Sequence, residues 1–267
     1  MKKSICVLLV FSLLLSFSFG TSACEKLEAE EPHCAYTLQQ YILQPKEEPT
    51  LLSCEMADVD GVEVELALYH DNGALVRTAS IVDESQKANL NIAQLEIAIA
   101  EQNALDYQAL QHTQYRSLAS SLPFYTDFSN YTTNSRNPDC NVGHSGEWYR
   151  GYSGLNPAIE ADSIQIGAVY SGGGNAELIV LSQNVVCSST AISFSVPLGF
   201  SFGFDSTSAS WTSAPYTNVS VAQAYMNGSI YTTSTIEAVI EITSTSEIRV
   251  NPYTSYVTGV ESSCIWS

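Results

Sequence analysis

Basic residues are scarce in this sequence: 10 Lys and Arg stand against 28 Asp and Glu, for a formal charge of -18. A surface that negative repels phosphate backbones and anionic headgroups, which excludes nucleic acid as a partner. Charge of either sign is sparse, at 14% of residues, so solubility rests on Ser, Thr, Asn, Gln and Tyr. Only four His are present and no two Cys stand at C-x-x-C spacing, so no zinc or redox set is offered. Neither a metal nor a cofactor is expected.

Catalytic motifs are missing too. Around Ser145 the stretch GHSGE has Glu147 where a Gly-x-Ser-x-Gly elbow needs its second Gly. Ser171-Gly172-Gly173-Gly174-Asn175 lacks the Gly-Lys-Ser/Thr of a phosphate loop. Asp58, Asp60 and Gly61 begin like a calcium loop, but Tyr69 stands where the bidentate Glu belongs. Glu147, Glu160, Asp162 and Glu177 offer carboxylates for glycoside hydrolysis, with no spacing that pairs two of them. No 20- to 50-residue self-similarity marks a repeat array.

What is present begins with MKKSICVLLVFSLLLSFSFGTSAC, two Lys before an apolar run closed by small residues. Residues 1–23 read as a secretory signal peptide, and no later run approaches the roughly 18 apolar residues of a spanning helix. The expected location is extracellular. Cys24 after Thr-Ser-Ala offers the alternative of a lipid anchor at a bacterial surface or in a periplasm. Without Cys6 of the leader, Cys24, Cys34, Cys54, Cys140, Cys187 and Cys264 remain. Their even number in an oxidising compartment implies three disulfides, with connectivity open.

Two regions follow. Residues 24–122 are acidic and read as a small ββα unit: GVEVELALYH alternates, Asp71-Asn72-Gly73 turns, ALVRTASIV returns, and Ile92, Leu95, Ile99 and Leu105 fit a helix over 89–112. This region is also a candidate pro-segment. Residues 123–267 are rich in Ser, Thr and Tyr and read as an antiparallel β-sandwich or barrel, so the whole chain is mainly β, α+β overall. Turn formers make 120–160 look irregular. Strands are expected on both sides of 171–175 and of Asn227-Gly228, each as a hairpin.

Two stretches carry functional signals. Trp148, Tyr149, Arg150 and Tyr152 lie close enough in sequence to form an aromatic platform with a polar handle, suited to an extracellular glycan or protein. In ISFSVPLGFSFGF, residues 192–204, every even position is large and apolar and every odd one is Ser, Pro or Gly. That pattern builds either a core strand or a membrane-crossing β segment. The first expectation is therefore a secreted, non-enzymatic binding protein using the aromatic platform. The alternatives are a β-pore-forming effector inserting a hairpin from 192–250 and, third, a secreted hydrolase. Membrane contact belongs only to the pore reading or to a lipidated Cys24.

Overall fold

The computed structural model describes residues 48–111, 122–188, 191–195, 201–202, 208–226 and 229–267. The expected signal peptide, Cys24 and Cys34 lie outside them. Strands β1 (Thr50–Val59), β2 (Val62–Asp71) and β3 (Ala74–Ile81) form a meander. Its turns use left-handed residues, Asp60 and Gly61 at φ 55° and 82°, Asn72 and Gly73 at 48° and 80°, which match the twist of the flanking strands. Asp58 accepts the Gly61 N–H at 2.8 Å, so the calcium-like triplet closes a turn. β1 escapes the periodicity reading because it is an edge strand whose Leu51, Leu52 and Met56 remain exposed. A short 3-10 turn (Glu84–Asn89) leads into helix α1 (Ile92–Gln111), inside the expected span.

The region expected to be irregular is instead two long strands, β4 (Phe124–Thr133) and β5 (Cys140–Ser153). Their Tyr, Phe, Trp and Thr residues favour a pleated surface. Turn chemistry is confined to 134–139, where Asn134 Oδ1 accepts the N–H groups of Arg136 and Asn137. The remaining strands are β6 (Asn156–Tyr170), β7 (Ala176–Ser188), β8 (Ala191–Ser195), β9 (Ser201–Phe202), β10 (Ser208–Thr212), β11 (Tyr216–Val219), β12 (Val221–Met226), β13 (Ser229–Thr233), β14 (Ala238–Asn251) and β15 (Thr254–Trp266).

These strands make two antiparallel sheets, as the sandwich reading requires. The larger contains β1, β2, β3, β12, β6, β13 and β8, extended from β6 by β5 and β4; the smaller runs β15-β14-β7-β10-β9, with β11 beside β7. β3 is hydrogen-bonded to β12, so residues on both sides of position 122 contribute to one sheet.

Two expected hairpins are not formed. β6 and β7 flank 171–175 but belong to different sheets, so that loop carries the chain from one layer to the other. β12 and β13 both pair with β6 and run on in one direction, their registers one residue apart. The Asn227-Gly228 dipeptide lies outside the described residues. Against β5, β6 carries a bulge of its own, with Ser163 at φ 53°, where it has one residue more than its partner.

The inner faces meet in one core that includes Ile159, Ile166, Leu181, Val185, Trp211, Ile240 and Ile242. A second cluster, with Val64, Ile81, Leu95, Ile99 and Val169, packs α1 on the outer face of the larger sheet. The order is helix, nine-stranded sheet, smaller sheet. Both the 171–175 loop and Ser220, where the chain returns from β11 to β12, are pinned by one cation. Lys87 Nζ donates to Tyr170 O at 3.0 Å, to Ser220 Oγ at 3.1 Å and to Gly174 O. Burial holds its ammonium down to about 8. A Lys beside a Ser resembles a catalytic dyad, but Ser220 is fully buried and its hydroxyl is donated to Asn175 Oδ1 at 2.7 Å. This pair is a lock between layers.

Among the described residues the expected bridges are not formed: Cys54, Cys140, Cys187 and Cys264 are free thiols. Cys187 and Cys264 both oppose Ile240, from the two sides of β14. Two interstrand spacings, roughly 9–10 Å, therefore separate their Cα atoms, beyond the ~7 Å limit of a disulfide. Burial raises Cys140 to about 11 and Cys187 to about 12. Of these four, only Cys54 is exposed. Brief alkylation of the native protein is expected to mark Cys54 and to spare the other three until denaturant is added. Peptide mass mapping reads the result, and native labelling of Cys187 at the rate of Cys54 would contradict it.

Candidate functional site

Alternation along β5 splits the expected aromatic platform. Trp148 points inward, is 5% exposed and stacks on Phe128 at 4.5 Å between ring centroids. Tyr149 points to the outer face of the larger sheet, where it lies 5.3 Å from the Tyr125 ring and donates to Glu147 at 2.7 Å. Arg150 returns to the inner side, with its guanidinium carbon 5.7 Å from the Trp266 ring. Tyr152 is on that side too, donating to Ser267 O at 3.1 Å and lying 5.9 Å from Trp266. The structure brings Arg150 and Tyr152 together and places Trp148 in the core and Tyr149 on the far face.

The Arg150–Tyr152 pair belongs to a larger feature that sequence proximity does not reveal. Phe124 stacks near Trp266 at 5.2 Å. β15 ends opposite the start of β14, with Trp266 paired to Ala238, and β13 ends beside the start of β6. At this end of the sandwich lie Leu155 in the β5–β6 turn, 96% exposed, and Ile236 in the loop before β14, 80% exposed. Ile265, Phe124 and Tyr152 are each at least half exposed there. Exposed apolar groups thus gather at one pole, beside Trp266 and Tyr152.

The alternating stretch begins and ends at the same pole. β7 finishes at Ser188, paired to Val239, and β10 starts at Ser208, paired to Val186. Between them, and among the described residues, β8 is an edge strand of the larger sheet, paired to β13, and β9 an edge strand of the smaller, paired to β10. The rest of 189–207 lies outside the described residues.

Of the four carboxylates weighed for glycoside hydrolysis, the pairing of β5 with β6 sets two opposite each other. Glu147 and Asp162 are cross-strand neighbours on the outer face, while Glu177 sits on the other sheet. Ser145 and His144 point to opposite faces of β5 and cannot work together. His144 is instead held between Ser244 Oγ at 2.9 Å and Ser262 Oγ at 2.7 Å, and burial pushes it down to about 4. Among the described residues no cluster of His, Cys, Asp and Glu is arranged to hold a metal. No helix there is long and apolar enough to cross a membrane. Comparison of the sequence with protein-family models and with curated proteins finds no match.

Proposed function

We propose that this protein is a secreted, non-enzymatic effector that inserts a β-hairpin, residues 188–206, into lipid bilayers and assembles a pore. The observation that carries this reading is the register of the β7–β10 ladder, in which Val186 faces Ser208 and Ser182 faces Thr212. In this structure Ile192 and Phe194 are paired with Thr232 and Ile230 of β13, and Phe202 with Ala209 of β10. On insertion these pairings would be exchanged for the outward continuation of the β7–β10 register, which would set Phe204 opposite Thr190, Phe202 opposite Ile192, Phe200 opposite Phe194 and Leu198 opposite Val196, with Pro197 at the tip. Every large apolar side chain then shares one face. The other face carries Ser189, Ala191, Ser193, Ser195, Gly199, Ser201 and Gly203. Ser188–Val196 makes one leg of about nine residues, the length of a tilted membrane-crossing strand. An apolar lipid face and a small polar lumen face are what such a strand requires.

Supporting this, the segment's described parts are bound by one neighbour each, so release breaks only edge pairings. The hairpin would extend from the pole that displays Trp266, Tyr152, Phe124 and Ile236, aromatic and aliphatic groups suited to the bilayer interface. A lone hairpin leaves open edges in hydrocarbon, so several copies must close a barrel. The negative surface favours zwitterionic membranes.

Dye release from phosphatidylcholine vesicles is expected, rising more steeply than linearly with protein concentration. Phe200→Asp puts a charge on the lipid face, at about 3 kcal/mol per copy, and is expected to slow release at least tenfold. Intact vesicles across lipid compositions and pH values would overturn the reading.

A further inference from the structure

A second feature lies on the opposite side of the molecule from the sheet interface. On the outer face of the larger sheet, beside α1, a cleft of about 190 Å³ is open to solvent. Its floor is two glycines facing each other across neighbouring strands, Gly143 of β5 and Gly167 of β6. A Cβ at position 167 would stand 3.2 Å from Gln223 Cγ, and one at 143 would stand 3.3 Å from the Tyr131 ring. At either position a larger residue would press on the side chain that covers the glycine, Gln223 or Tyr131, and displace it into the hollow. Outward-facing side chains wall it: Ser145 and Gln165 beside the glycines, Tyr131 on the β4 side and Glu96 from the helix.

The donor at its centre is held in orientation. Arg77, 1% exposed, donates from Nε to Asn103 Oδ1 at 2.8 Å, and Asn103 Nδ2 donates to Gln223 Oε1 at 3.1 Å. Gln223 is thereby fixed with its oxygen toward the helix and its NH2 group left to donate over the glycine floor. The glycine at 167 makes room for the Gln223 stem in this orientation.

We propose that this cleft binds one neutral sugar ring, the terminal unit of a glycan. Amides and hydroxyls supply both donors and acceptors for a ring of hydroxyls. Tyr131, 61% exposed, offers an aromatic face against which the C–H side of a pyranose packs. Glu96 adds a carboxylate acceptor, and no lining residue is cationic, which disfavours phosphorylated or sulfated ligands. The cleft is below the several hundred Å³ of pockets for drug-sized molecules, consistent with a single ring. The site stands independently of hairpin insertion, since Gln165 and Gly167 lie where β6 pairs with β12, whereas β13, which carries β8, joins β6 at Ala158–Ala161.

The test is saturation-transfer NMR of the full-length secreted protein with methyl glycosides of glucose, galactose, mannose and N-acetylglucosamine, followed by a glycan array. At least one glycoside is expected to show transfer, weakened at least tenfold in affinity by Gly167→Val, which adds a β-favouring side chain to the floor. Tyr131→Ala, at an exposed position, is expected to weaken the same glycoside while leaving the melting temperature unchanged. Absence of binding in both formats would overturn the proposal. So would binding that survives Gly167→Val and Tyr131→Ala, or binding removed by Tyr149→Ala while those two variants retain it. Dye release from pure phosphatidylcholine, which carries no sugar, is expected to be unaffected by either cleft variant.

Discussion

A disulfide between positions 195 and 229 is expected to abolish dye release, and dithiothreitol is expected to restore it. Ser195 of β8 and Ser229 of β13 are directly paired, and cross-strand partners have Cα atoms ~4.5–5.5 Å apart, within the range a disulfide accepts. Ser195→Cys with Ser229→Cys changes little in volume and ties the first leg of the alternating stretch to the larger sheet. Cys54→Ser in the same background removes the exposed thiol that would compete. Hairpin insertion requires β8 to leave β13, so the oxidised protein should bind vesicles without permeabilising them, its release at least tenfold slower than when reduced. Unchanged release by the oxidised form would show that β8 need not move, and the membrane-insertion scheme would fail with it.

Acid is expected to weaken the join between the sheets through His144. Its folded value of about 4 lies below the usual 6.5. Between those values the unfolded chain binds a proton that the folded chain does not, so stability falls as pH falls through this window. At about 1.4 kcal/mol per unit, lowering the pH from 6.5 to 5 removes about 2 kcal/mol. The physical cause is burial: the imidazole sits between Ser244, Ser262 and the Phe128 ring, 5.6 Å away edge-on, and none of these compensates a positive charge. Gln183 donates to the same Ser244 at 3.2 Å, so a protonated ring also disturbs a polar band inside the smaller sheet. Urea unfolding at pH 7 and pH 5 checks this against His144→Gln, which keeps hydrogen-bonding capacity without titrating here. The wild type should lose about 2 kcal/mol more than the variant over that interval; equal losses would remove His144 as the cause.

Legibility in the sequence followed the range of the interaction. The hairpin at Asp71-Asn72-Gly73 and the helix near 92–111 are local outcomes of φ > 0 residues and a 3.6-residue period, and both are visible in the letters. The β4–β5 pair was obscured because Ser, Asn and Gly are turn formers in isolation but tolerable on a half-exposed strand beside Tyr, Phe and Trp. The partners across 171–175 and around Asn227-Gly228 depend on which sheet each strand joins, and no local pattern specifies that. The same limit separates the two candidate sites. The amphipathic stretch at 192–204 is a period of two, readable at once, whereas its edge position and the ladder that continues it come from pairing. The cleft beside α1 joins Glu96, Tyr131, Gly143, Gly167 and Gln223, five positions on five elements, and nothing in their spacing unites them. Sequence proximity misled at Trp148, Tyr149, Arg150 and Tyr152 because an extended chain sends neighbours to opposite faces.

The way the chain passes between layers sets how it must fold. β6 lies in the larger sheet, β7 in the smaller, β8 in the larger, β9 to β11 in the smaller, β12 and β13 in the larger, β14 and β15 in the smaller. Neither layer can therefore be finished while the other is unmade, and β3 must wait for β12, well over a hundred residues downstream. Long loops have to close before their contacts repay the lost entropy, which puts this topology among slow, high-contact-order folders. During that wait the apolar residues of 192–204 are exposed to one another on neighbouring molecules, so refolding yield should fall steeply as protein concentration rises.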